Sequence, residues 1–518
     1  MTAPPGPVRT QQAPSPARRG APRALLAAAV ATGALACVPL VYLAVRALEA
    51  GPGTVVEILA RPRTAELLAR SALLGGSVTA ACLVLGCGLA WLLTRTDLPG
   101  RRVWAAVLAL PLAVPSYVAG FTWIAEWPGL AGFPGAFLVL TLVSYPYVLL
   151  PVAAALLASD GGLEEVARSL GRGPGRVLLT VTLRRVRPTA AAAGLLVALY
   201  VLSDFGAVSL MRYETFTLGI FTSYRATFDR TPAAVLGCAL VALAAVLTWA
   251  EHRARGRAGG WIGRGTPRPP VPARLGGFRP LALLTVAAVA VAALGVPAVS
   301  LVRWTLAGTS AGIDWAGLGG AAVATLQVAG LGAVLTTVLA MPVGVLAARY
   351  RGRTVTAVET AAYAGHALPG VTIGLALVFV GIRLVPAVYQ ELPLLLVGYA
   401  VLFLPLAVGA VRTAVAAAPV GHEEVARSLG CGRTAAFARV TLPRALPGIA
   451  AGAALVFLTV AKELPVTLML RPTGTDTLAV QLWSHTGAGA FAAAAPYAVV
   501  LVVVAAVPSV LLDRAAHR

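Results

Sequence analysis

Two carboxylates stand in long apolar stretches of this 518-residue chain. Asp204 lies in Ser203-Asp204-Phe205-Gly206 and Glu463 in Lys462-Glu463-Leu464-Pro465, 259 residues apart. A charge at membrane depth is costly and marks a transport pathway or an intramembrane ion pair. Lys462 and Glu463 are sequence neighbours and do not face each other on a helix, so the expected partner of Lys462 is Asp204 across the molecule. Asp204, Lys462 and Glu463 are therefore the candidates for a translocation pathway or an intramembrane pair. Other chemistry is not supported by spacing. The histidines at 252, 366, 422, 485 and 517 are scattered, and none of the cysteines at 37, 82, 87, 238 and 431 forms a CxxC pair. Four of those cysteines sit in apolar segments and read as buried small side chains, so no metal site is assigned.

A second constellation has a different chemistry. Glu-Glu-Val-Ala-Arg-Ser-Leu-Gly runs from Glu164 to Gly171 and again from Glu423 to Gly430, also at an offset of 259. Extended to Pro188 and Pro447 without a gap, the match keeps 14 of 25 positions. Each copy is expected to form a short amphipathic helix. Val166, Ala167 and Leu170, or Val425, Ala426 and Leu429, take one face and the charges the other. The paired glutamates sit in the first turn, where the helix dipole favours acids. Gly171 and Gly430 stand where a left-handed helix stop is expected. Such an element cannot bury its apolar face alone. It can lie on a membrane, pack on its own helices, or dock into a partner.

The elements that must position these residues are membrane helices. The chain is 58% hydrophobic and 12% charged, with mean hydropathy +0.83, against about 25% charged residues in soluble domains. Apolar runs of about 20 residues recur, enough to cross a ~30 Å hydrocarbon core as helices. Twelve such runs are expected, near 24–46, 70–94, 103–125, 132–157, 189–211, 232–250, 281–304, 319–347, 356–382, 391–416, 447–470 and 493–512. The fold class is all-α and polytopic. The net charge of +21 does not indicate nucleic acid, because the arginines cluster before the first run and in selected loops. Residues 251–280 alone hold seven arginines and one glutamate. That is the positive-inside pattern, suited to an anionic inner leaflet, and it puts both termini in the cytoplasm. The expected division is a disordered basic tail at 1–23, a first half at 24–250, a cytoplasmic linker at 251–280 and a second half at 281–518. Pro115 and Gly120 match Pro369 and Gly374 at an offset of 254, and Arg95 matches Arg349 likewise. Both halves thus share one order and one orientation, a parallel duplication into two six-helix repeats.

The repeated loops resemble the EAA loops of ATP-binding-cassette importer permeases. Glu165, Ala167, Leu170, Gly171 and Leu183 match that pattern in the first half. Glu424, Ala426, Leu429, Gly430, Leu442 and Pro443 match it in the second. Val166 and Val425 replace the middle alanine, and Arg184 replaces the proline of the first loop. The resemblance implies a type I importer permease fold, in which Glu165, Ala167, Leu170, Gly171, Glu424, Ala426, Leu429 and Gly430 belong to two coupling helices. It implies as partners two copies of an ATPase subunit, an extracytoplasmic substrate-binding protein and membrane lipids, in the plasma membrane. The single lysine, Lys462, rules out a GxxxxGK[ST] motif. No cofactor is therefore expected in this chain, and ATP with Mg belongs to the partner ATPase. The stretch Lys462 to Leu468, with Leu470-Arg471-Pro472-Thr473-Gly474, Thr477-Leu478-Ala479 and Ala367-Leu368-Pro369-Gly370, resembles ferric-iron permeases. Thiamine and phosphonate-type permeases share the architecture. From the residues alone, an ion-coupled secondary transporter acting through Asp204 and Glu463 is the rival class.

Overall fold

Each of the twelve apolar runs falls on helix in the computed structural model, which describes residues 20–158, 162–226, 231–258, 272–309 and 312–516. Most of the expected basic tail and the middle of the expected linker lie outside the described residues. Among the described residues there is no β-strand, only an isolated bridge between Thr96 and Ala273. Helix is the form that satisfies every backbone group within a single apolar segment. Nine helices are individually long and apolar enough to span a membrane among the described residues, from Arg23–Glu49 to Arg433–Ala461. A tenth span is a bent pair, and the runs at Gly370–Arg383 and Phe491–Ala505 are shorter apolar helices. Large apolar side chains face outward along these helices, Leu306 at 81% exposure and Val84 at 78%. Such an exterior suits lipid and not water.

Four of the expected runs are broken by residues outside the helical region, and the breaks recur in both halves. The third run bends by 93° between Arg101–Ala113 and Ser116–Glu126. The ninth breaks likewise between Arg353–Tyr363, with its 3₁₀ turn, and Gly370–Arg383. Pro115 and Pro369 cause both breaks. The residue before a proline is pushed out of the helical region, and Val114 and Leu368 sit at ψ 120° and 121°. The fifth run ends at Ser203 and resumes as the short helix Gly206–Leu210. The eleventh ends at Ala461 and resumes at Pro465–Leu470.

The halves interleave rather than sit side by side. The first helix, Arg23–Glu49, packs on Trp315–Arg349, Arg353–Tyr363 and Gly370–Arg383 of the second half. A Cβ at Gly33 would lie 3.3 Å from the Cβ of Ala361, so glycine sets that approach. Conversely, Val296–Ala307 packs on Ser116–Glu126 of the first half. There Ser300 donates to the Thr122 carbonyl at 3.2 Å and Arg303 pairs with Glu126 at 2.5 Å. The chain leading to that helix is pinned as well. The Ala273 amide donates to the Arg95 carbonyl, and the Leu275 amide to the Asp97 carboxylate at 2.9 Å.

Candidate translocation site and coupling elements

The two embedded carboxylates are built into the helix breaks as caps. Asp204 Oδ1 accepts from the backbone amides of Ala207 at 3.0 Å and Val208 at 3.3 Å. Its Oδ2 accepts from the Ser116 hydroxyl at 2.5 Å. Glu463 holds the equivalent amides of its own half. Oε1 accepts from Val466 and Oε2 from Thr467, both at 2.9 Å, and the Thr467 hydroxyl donates to Oε2 at 2.8 Å. The first N–H groups of a helix have no partner within it, and an anion there is favoured by the dipole. In an apolar interior those amides need such a partner, which is why acids sit at these two positions.

The two caps differ in a way that packing explains. In the first half Ser116 supplies the third donor and the facing position is Gly206, where a Cβ would lie 2.8 Å from Tyr117 Cβ and 3.3 Å from Ser116 Oγ. In the second half the matching pair is Gly370 and Pro465. A Cβ at Gly370 would lie 3.1 Å from Pro465 and 3.2 Å from Glu463 Oε1. Small and large have exchanged sides, and the longer glutamate reaches the amides that aspartate reaches with help from serine.

Both caps line one cavity of about 310 Å³ between the halves, together with Lys462, Ser203, Tyr147 and Tyr200. Tyr117 of the first half donates to the Lys462 carbonyl at 3.1 Å. Phe205, also on the cavity wall, meets Phe221 at 5.0 Å and Trp483 at 6.2 Å between ring centroids. The Trp483 indole donates to Ser209 Oγ across the halves at 3.0 Å. The structure thus brings Asp204, Lys462 and Glu463 to one place, but the expected Lys462–Asp204 ion pair is not formed. Among the described residues no carboxylate lies within ion-pair distance of Lys462. The reason is the caps: both acids are turned to the short helices that they terminate.

The repeated loops form the short helices Gly162–Ser169 and Val420–Ser428. Each ends in the same glycine turn. Gly171 has φ +80° and Gly430 φ +87°, a conformation that side-chain-bearing residues disfavour. The Arg172 amide donates to the Ala167 carbonyl at 3.1 Å, and Cys431 to Ala426 at 3.0 Å. This is the six-to-one bond of a Schellman stop. Ala167 is buried and Ala426 partly so, both turned to the body of the protein. Leu170 is 74% exposed and Leu429 79%, with Val166 and Val425 also outward. Glu165 and Glu424 are exposed as well. The expected single apolar face is therefore split: alanine packs inward and leucine is presented outward.

The residues that fix the helix Val420–Ser428 were not assigned from sequence. Arg349, at the end of the Trp315–Arg349 helix, pairs with Glu423 at 2.9 Å, and Thr441 also donates to Glu423. The recurrence of arginine at 95 and 349 was the available signal. Ser116 and Thr467, the hydroxyl donors of the two caps, carried no comparable signal, because neither is repeated in the other half.

Comparison with known proteins identifies the family. Residues 83–254 and 340–518 both match the model of the binding-protein-dependent transport system inner membrane component. The Fe(3+)-transport system permease protein FbpB 2 of Haemophilus influenzae is 36% identical over 487 residues, covering 93% of this chain and 96% of that protein. The molybdate/tungstate transport system permease protein WtpB of Thermococcus kodakarensis is 25% identical, covering 38% of this chain and 83% of its own. The sulfate transport system permease protein CysW of Escherichia coli K12 is 26% identical, covering 41% and 79%. With two matched domains that together span well over half of its length, the chain belongs to the family of binding-protein-dependent transport system inner membrane components.

Proposed function

We propose that this permease imports ferric iron, delivered by an extracytoplasmic binding protein and driven by a separate pair of ATPase subunits. The observation that carries the substrate is end-to-end similarity to an Fe(3+)-transport permease, 93% of this chain against 96% of the relative. The permeases for molybdate or tungstate and for sulfate align with only 38% and 41% of it. The cavity between Asp204 and Glu463 is the pathway in this reading, and the helices at Gly162–Ser169 and Val420–Ser428 are the coupling elements. Ferric ion is a hard cation that favours oxygen ligands. A permease fed by a binding protein need only pass it, not hold it tightly.

Uptake of 55Fe is expected to be lost in a strain lacking this gene, while thiamine uptake stays normal. Normal iron uptake with lost thiamine uptake would overturn the substrate and leave the importer architecture standing. Transport should also vanish without the ATPase yet survive a protonophore. The opposite pair of results identifies an ion-coupled transporter.

In this reading both termini lie in the cytoplasm, with the segment 251–280 on the same side and 471–492 outside. Single cysteines in these two segments of a Cys-depleted variant report this. Only the second is expected to react with an impermeant maleimide in intact cells, and labelling of the first would reject the topology.

A further inference from the structure

We propose that Lys462 and Ser203 form an oxyanion subsite in the cavity, so that ferric iron crosses with an anionic oxygen ligand still attached. The inference rests on the ferric-iron reading above and names the form of its cargo. Lys462 is the only lysine in the chain. It lines the cavity, is partly exposed, and its ammonium has no carboxylate and no hydrogen-bond acceptor within reach among the described residues. Ser203 stands at the equivalent register of the first half, lines the same cavity, and its hydroxyl makes no hydrogen bond among the described residues. Two donors without protein acceptors thus face one space.

The carboxylates in that space are already engaged. Asp204 accepts three hydrogen bonds and so does the Glu463 carboxylate, all from the helix caps. A carboxylate has about four acceptor sites, so each acid keeps about one, too few to replace the ligands of a ferric ion. The group left to meet cargo is a cation. A bare trivalent ion would be repelled by it. A ferric complex with phosphate or a polycarboxylate presents anionic oxygens, which an ammonium and a hydroxyl bind by charge-assisted hydrogen bonds. The Tyr117 hydroxyl on the Lys462 carbonyl fixes the backbone from which the ammonium extends.

The test uses cells carrying the intact transporter and 55Fe supplied as ferric phosphate or as ferric citrate. Lys462→Gln is expected to lower uptake about tenfold, the worth of one charge-assisted hydrogen bond. Lys462→Glu should lower it further, and Lys462→Arg should recover most of the loss, at equal amounts of permease in the membrane. A bare-cation pathway predicts the reverse order, so uptake by Lys462→Glu at or above wild type overturns the proposal. A second measurement needs no variant. In wild-type cells, 32P-phosphate or 14C-citrate should accumulate in step with iron, and whichever does so identifies the ligand's source. Iron entering without either label overturns the subsite even if the variants fail to insert. Failure of the wild type to take up iron in either form refutes instead the ferric-iron reading on which the subsite rests.

Discussion

Replacing both Leu170 and Leu429 by aspartate is expected to uncouple the permease without unfolding it. Both side chains are exposed, at 74% and 79%, on helices that end in a rigid glycine turn, so nothing inside the protein depends on them. Ala167 and the Arg349–Glu423 pair hold the helices to the body and are untouched. If the two leucines enter grooves on the ATPase subunits, each substitution removes the burial of a leucine, about 2 kcal/mol. Two sites together give roughly 4 kcal/mol, about a thousandfold weaker association. The variant should reach the membrane in normal amounts, lose the co-purifying ATPase and lose transport. Retention of both ATPase and transport would show that these faces do something else.

The geometry explains why the two repeated loop helices were legible in the sequence. A helix stop that needs positive φ selects glycine, and the exposed leucine before it keeps a fixed place beside that stop. Both constraints are local, so duplication left them visible in two copies. The breaks at Pro115 and Pro369 were legible as a repeat but not as bends, because an apolar run with one internal proline also fits a kinked single span. The capping contacts of Asp204 and Glu463 were not legible. Charge in apolar sequence indicates a pathway or a pair, and the third possibility, capping a short helix after a break, depends on where the chain resumes. Phe205-Gly206 and Leu464-Pro465 mark that resumption only weakly. Ser116, which completes one cap, lies 88 residues from its partner. No pattern within a single helix reveals a contact of that separation.

Exchanging one cap for the other gives the sharpest test of this account. Glu463→Ala would strand the amides of Val466 and Thr467 and remove an acceptor of the Thr467 hydroxyl in a buried site. At about 1–3 kcal/mol for each unsatisfied buried donor, that is expected to be the most damaging single change at this site. Gly370→Ser alone should cost about 1–3 kcal/mol from overpacking, since its Cβ meets Pro465 at 3.1 Å and Glu463 Oε1 at 3.2 Å. The triple change Gly370→Ser, Glu463→Asp and Pro465→Gly rebuilds in the second half the set Ser116, Asp204 and Gly206 of the first. It should be more stable than Gly370→Ser by itself, although it contains two further substitutions in a buried site. Thermal unfolding of the purified protein in detergent, with transport in parallel, measures the coupling. Residues in contact are expected to depart from additivity by about 0.5–3 kcal/mol. Effects that simply add would mean that the two caps are not alternative solutions to one packing problem. A triple variant that is stable but silent in transport would mean that the longer glutamate serves the pathway as well as the helix.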